Sequence, residues 1–216
     1  MPSAVVAPSL LAANHGDFAQ GVRTVEEAGL QWLHLDIMDG HFVPNISFGP
    51  QVVADLRPLT KLHFDVHLML TNPDRFVAAF AKAGAERLTV HVEADHDVAL
   101  TIAAIKNAGM SAGIAMNPDT DPQRLLPYLD SVDLALCMTV FPGFGGQAFI
   151  PSALKSIQFL ADERTSRGAS FRLEVDGGIN LDTGRQCRAA GADTFVAGTA
   201  FFKAADRSSF ARQLTA

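Results

Sequence analysis

Three short segments set two ionisable residues one position apart: His34-Leu35-Asp36, Asp65-Val66-His67 and Glu174-Val175-Asp176. Each belongs to an apolar, β-prone run, and in a strand residues i and i+2 share a face. His34 and Asp36 therefore project together, as do Asp65 and His67. A single histidine at a strand end is ordinarily a hydrogen-bonded structural residue. Two His and two Asp converging from three strands are another matter. Burying them without partners is costly, whereas a divalent cation neutralises two carboxylates and accepts two imidazoles as ligands. A mixed nitrogen and oxygen donor set suits one Zn, Fe(II), Mn or Co ion better than Mg or Ca. His91 and His41 are weaker candidates, expected in supporting or structural roles.

Glycine-rich segments form the second group: Pro142-Gly143-Phe144-Gly145-Gly146-Gln147, Asp176-Gly177-Gly178 and Ala197-Gly198-Thr199. Any one of them is explained by turn geometry. Three in succession after the last three strands match the place where barrels cradle phosphate with backbone N–H groups. Met38, Met69 and Met138 form the third group, near strand ends that carry polar residues. Methionine is usually core filler, the reading kept for Met110 and Met116. At an open mouth, uncharged thioethers can also pack on a planar intermediate and exclude water.

These groups need a scaffold that gathers strand ends. An Ala-Gly pair precedes an apolar run four times, at Ala28-Gly29, Ala83-Gly84, Ala108-Gly109 and Ala190-Gly191. Glycine just past a helix accepts the left-handed conformation, so each junction predicts helix, stop, strand. Strands are expected at 4–8, 32–36, 62–67, 86–91, 112–116, 132–138, 171–175 and 194–197, and helices at 51–57, 76–82, 97–108, 153–164 and 183–190. The strand runs are short, Val/Ile/Leu/Phe-rich and poorly alternating, as in parallel strands buried on both faces. Eight units of roughly 27 residues predict an α/β fold, a single-domain (β/α)8 TIM barrel over 1–216, with an open α/β sheet as runner-up. No GxGxxG follows the first strand to support that rival.

Composition agrees. With 48% apolar and 19% charged residues the 216-residue chain can bury a core of its own. A net charge of −6, with 17 Lys and Arg scattered singly, gives no footprint for nucleic acid or an anionic membrane. The first residues carry no early positive charge and no long apolar run, so neither signal peptide nor membrane span is expected. Cys137 and Cys187 lack metal or disulfide spacing. A cytoplasmic protein is expected. The subunit number is left open, with a homo-oligomer allowed.

The segments Ala7-Pro8-Ser9-Leu10-Leu11, His34 through Asn45, Asp65-Val66-His67-Leu68-Met69, Pro142 through Gln147, Glu174 through Ile179 and Val196-Ala197-Gly198-Thr199 together resemble the ribulose-phosphate 3-epimerase family along nearly the whole chain. The resemblance implies a ribulose-phosphate-binding type of barrel with His34, Asp36, His67 and Asp176 on the metal. It implies Asp36 and Asp176 as the acid-base pair. Ser9, His67, Met38, Met69, Met138 and Asp176 are expected against substrate, and Gly143, Phe144, Gly145, Gly146, Gly177, Gly178, Gly198 and Thr199 around it and its phosphate. Phe141 stands where the family usually has Asn, Thr199 where Ser is common, and Ala12-Ala13-Asn14 replaces Ser-Ala-Asp. Phe141 bears on the identity of the sugar rather than on the reaction.

The implied activity is a metal-dependent ketose-phosphate 3-epimerase of the pentose phosphate pathway, acting on a phosphorylated ketose through an enediolate. D-ribulose 5-phosphate and D-xylulose 5-phosphate are the expected pair, with allulose 6-phosphate as the six-carbon alternative. A Schiff-base lyase would need a Lys at a strand's C-terminal end, and none is so placed. A metal-dependent aldol-type lyase is disfavoured by the second carboxylate after strand 7. A non-catalytic sugar-phosphate-binding barrel would not need paired acids and imidazoles.

Overall fold

The computed structural model describes residues 3–216. Its strands are β1 (Val5–Pro8), β2 (Trp32–Met38), β3 (His63–Met69), β4 (Arg87–His91), β5 (Ser111–Met116), β6 (Leu134–Met138), β7 (Arg172–Asp176) and β8 (Thr194–Ala197). Its α-helices are α1 (Phe18–Glu27), α2 (Pro50–Leu56), α3 (Val77–Ala83), α4 (Val98–Asn107), α5 (Ala153–Ser166), α6 (Leu181–Ala189), α7 (Thr199–Phe202) and α8 (Arg207–Thr215). All strand pairs are parallel, in the order β1-β8-β7-β6-β5-β4-β3-β2, and a parallel bridge between Ser9 and His34 closes the ring. The barrel expected from the strand count is therefore present. Only a 3-10 turn, Pro122–Leu125, replaces a helix between β5 and β6.

Local chemistry explains the boundaries. Asp17, Asp97 and Asp206 cap α1, α4 and α8 by accepting from backbone N–H groups, and Asn180 with Thr183 forms a capping box on α6. The four Ala-Gly junctions end α1, α3, α4 and α6 with Gly29, Gly84, Gly109 and Gly191, all at positive φ. No helix among the described residues is long and apolar enough to cross a membrane.

Alternation sorts the strand residues. Leu33, Leu35 and Ile37 of β2, Phe64, Val66 and Leu68 of β3, and Leu88 and Val90 of β4 join the large core under the helices. The opposite face lines the barrel interior, and this interior is unusually polar. At its base Trp32 lies against His63 (ring centroids 4.4 Å apart), with the Arg87 and Arg172 guanidinium carbons 4.6 and 5.4 Å from its ring centre. Above sit His34, Asp65 and Glu174, all fully buried. Asp36, His67, His91 and Asp176 form the next tier, at the C-terminal mouth where barrel enzymes keep their chemistry.

Candidate active site

Strands β2, β3 and β7 deliver one cluster. Ligand atoms of His34, Asp36, His67 and Asp176 all lie within 4.8 Å of one another. Asp36 Oδ1 is 3.4 Å from His34 Nε2 and 3.5 Å from His67 Nδ1, and Asp176 Oδ2 is 4.0 Å from His67 Nδ1. His34 Nε2 and His67 Nδ1 are buried and have no hydrogen-bond partner. Two orphaned imidazole nitrogens aimed at two carboxylates are a donor set that a divalent cation satisfies, so these residues fit a metal. On the far side of its ring His34 Nδ1 lies 2.8 Å from Asp65 Oδ2, the carboxylate-histidine pairing that turns the opposite nitrogen toward a cation.

The carboxylates differ in environment. Burial would raise Asp36, but His34 and His67 outweigh it and hold the group well below the usual carboxylate range. Ser9 Oγ also donates to Asp36 Oδ2 at 2.5 Å. Burial and the neighbouring Asp36 charge push Asp176 up to about 7. Burial acts to lower His34, yet Asp36 and Asp65 prevail and raise it. Burial, with the nearby His91 and His34, brings His67 down to about 4 against the pull of Asp36. Beneath them, burial and Asp65 raise Glu174 well above the ordinary range. Two adjacent carboxyls whose pKa values are pushed in opposite directions are the pattern of an acid-base pair.

Above the cluster opens a cavity of about 220 Å³. Ser9, Asp36, Met38, Met69, Met138 and Asp176 lie on its wall, as do Gly143, Phe144, Gly145, Gly146, Gly177, Gly178, Gly198 and Thr199. Among the described residues no Lys or Arg lines it. His67, expected against substrate, lies behind the wall with His34: both are fully buried. Met38 and Met69 pack with Val43, Leu11 and Phe42, and Met138 with Leu136 and Val140. Gly177 and Gly178 have φ of 115° and 64°, and a Cβ on Gly178 would stand 2.7 Å from Phe149 N. This turn has room for no side chain.

The loops are braced to each other. Asp39 accepts from the N–H groups of His41, Phe42 and Thr71, tying the segment after β2 to the end of β3. Asn45 Nδ2 donates to Gly143 O at 2.7 Å across the mouth. Gln147 Nε2 donates to Phe141 O and Phe144 O and draws the glycine-rich loop into a ring. Phe141 points outward, half exposed, and lies off the cavity wall. His41 is exposed and bonds its ring Nδ1 to Asp39 O, a structural role. Reading the motifs pairwise overlooked Glu174, Asp65 and Glu93 as partners of the cluster. The signal for the first two was present, since the same period of two that turns Asp176 and His67 inward turns them inward as well.

Residues 5–202 match the ribulose-phosphate 3-epimerase family. The ribulose-phosphate 3-epimerase of Bacillus subtilis is 46% identical over 205 residues, covering 94% of each chain, and that of Synechocystis is 46% identical over 202 residues, 93% of this chain and 88% of the relative. The chloroplastic ribulose-5-phosphate-3-epimerase of Arabidopsis thaliana is 45% identical over 204 residues, 94% of this chain and 73% of the relative. Among solved structures, KGPDC from Streptococcus mutans superposes with a TM-score of 0.70 at 17% identity, covering 99% and 96% of the two chains. A tryptophan synthase alpha-subunit from Pyrococcus furiosus does so at 0.69 and 14%, covering 99% and 98%. Those two share the fold alone. With matching sequence along almost its whole length and the expected acids and imidazoles gathered at one barrel mouth, the chain belongs to the ribulose-phosphate 3-epimerase family.

Proposed function

We propose that this enzyme interconverts D-ribulose 5-phosphate and D-xylulose 5-phosphate by moving a proton at C3, with Asp36 and Asp176 as the acid-base pair. The observation that carries the reading is geometric: Asp36 and Asp176, delivered by β2 and β7, stand on the wall of one cavity with ligand atoms within 4.8 Å of each other and of two buried imidazoles. In one direction Asp36 takes the C3 proton and Asp176 returns one to the other face of the flat enediolate. In the reverse direction the two exchange duties. Ser9, donating to Asp36 Oδ2, fixes that carboxylate's orientation. Met38, Met69 and Met138 offer apolar surface that donates no proton to the intermediate.

His34, Asp36, His67 and Asp176 would hold one divalent cation, Zn, Fe(II), Mn or Co by donor chemistry. Bound there, such an ion supplies Lewis-acid stabilisation for the negative charge that develops beside the reacting carbon. The phosphate is assigned to the backbone amides of the glycine loops after β6, β7 and β8, because no cationic side chain lines the cavity. That same lack of lysine argues against Schiff-base chemistry. The names of the relatives favour the five-carbon over the six-carbon ketose. A cytoplasmic setting accords with two free, buried thiols.

The test is turnover of D-ribulose 5-phosphate in deuterium oxide, followed by NMR. Xylulose 5-phosphate bearing deuterium at C3 is expected. Product with hydrogen retained at C3 over many turnovers counts against two solvent-exchanging acids, and faster turnover of allulose 6-phosphate reassigns the sugar.

A further inference from the structure

Behind the ligand cluster a line of side chains leads from β3 through β4 to the loop beyond it. His67 turns Nδ1 toward Asp36 and Asp176, and its Nε2 lies 2.8 Å from Nε2 of His91. Two ring nitrogens at that distance share one proton, so one must donate and the other accept. The direction is set one residue further out. His91 Nδ1 lies 3.0 Å from Glu93 Oε2, and an ionised carboxylate can only accept. His91 therefore carries a proton on Nδ1, and in the neutral ring its Nε2 is a lone pair. It follows that His67 donates from Nε2–H and keeps its own lone pair on Nδ1, the buried nitrogen without a hydrogen-bond partner.

The line is built to hold this polarity. Glu93 Oε1 accepts from Asn117 N at 2.8 Å and from the Thr120 hydroxyl, leaving Oε2 for His91. The two imidazoles lie nearly parallel, 22° apart with centroids at 5.0 Å, and Phe42 packs against His91 at 4.8 Å. His96 Nε2 lies 3.0 Å from His91 O and ties the strand end to the following loop. We propose that Glu93, acting through His91, is a positioning residue that locks His67 in the Nε2–H tautomer and so presents Nδ1 to the cation. Asp65 stands in the same relation to His34 directly. The inference rests on the metal reading above and adds to it two residues that lie away from the substrate cavity.

The test has two arms on the full chain. In zinc-loaded wild type carrying ¹⁵N-histidine, long-range NMR should find the His91 proton on Nδ1 and a nitrogen-nitrogen coupling across the His67 Nε2–H···Nε2 His91 bond. In the second arm, Glu93→Gln lets an amide N–H face His91 Nδ1 and reverse the line. Zinc(II) affinity, measured by competition with a chelator, should fall about 10- to 100-fold, the usual effect of losing a partner of a ligating histidine. Added zinc(II) should restore the rate, which a merely structural defect would not allow. Zinc uptake by wild type with the His91 proton on Nε2, or a Glu93→Gln affinity within about twofold of wild type, overturns the relay alone. Wild type that takes up no zinc(II) overturns the metal reading and the relay with it. If Glu93→Gln fails to fold, the wild-type spectrum decides.

Discussion

Asp36→Asn and Asp176→Asn keep side-chain shape and remove the groups proposed to carry the proton. Positioned acid-base catalysis is typically worth about 10² to 10⁴ in rate, so each variant should lose at least that much epimerisation, read from a coupled assay or by NMR. The two losses have separable signatures. A variant that retains one carboxylate should still wash out the C3 hydrogen of the epimer presented to that carboxylate, and washout of neither epimer in either variant would argue against separate faces. His34→Ala and His67→Ala address the cation instead. Each removes an imidazole whose orphaned nitrogen points into the cluster, and each should lower metal content by elemental analysis together with activity. Full metal content and full activity in both would remove the cation from the reaction.

At the scale of elements, the turns after β6, β7 and β8 are expected to act through backbone atoms. Gly198 is tightly backed, since an added Cβ would sit 3.2 Å from Ala12 Cβ. Gly198→Val should raise KM for the ketose phosphate strongly, and a competing phosphate anion should lose affinity in parallel. A ligand complex with phosphate against an arginine elsewhere would defeat the glycine assignment. The packing of α6 on α8 offers a test of stability without chemistry. A Cβ on Gly184 would fall 2.1 Å from Leu214 Cδ1; Gly184→Ala has only to displace that side-chain end and gains about 1 kcal/mol of helix propensity, whereas Gly184→Phe should cost about 1 to 3 kcal/mol by overpacking. Denaturant unfolding should show that loss while KM stays near wild type.

The whole barrel depends on charged groups as well as on apolar ones. Arg164 of α5 is buried, pairs with Asp193 before β8, and donates to Gly191 O and Phe171 O, thereby joining helix, loop and strand. Asp193 also accepts from Leu173 N and Arg172. Arg164→Met would leave the Asp193 carboxylate with less compensation for its burial. Breaking a buried pair by removing one partner typically costs about 3 to 5 kcal/mol. A fall of that order in unfolding free energy is expected, and a loss below about 1 kcal/mol would mean that Arg172 alone suffices for Asp193.

The order of strands, the helix stops and the inward set on β2, β3 and β7 were legible in the sequence because they obey local rules. Glycine alone tolerates the turn after each Ala-Gly helix end, and period two puts His34 with Asp36 and Asp65 with His67 whatever surrounds them. The same rules place the glycine-rich turns after the last three strands. Other properties arise only when distant segments meet. The opposite pKa shifts of Asp36 and Asp176 depend on a common burial and on two imidazoles from neighbouring strands, and no spacing along the chain encodes that distance. The withdrawal of His67 behind the cavity wall, the outward turn of Phe141 and the line from His67 through His91 to Glu93 are likewise set by packing across strands and loops. Sequence specified which groups face inward because side-chain direction is a property of the local backbone. Tertiary structure decided which of them touch, and so which carry protons, because desolvation and charge coupling act through space.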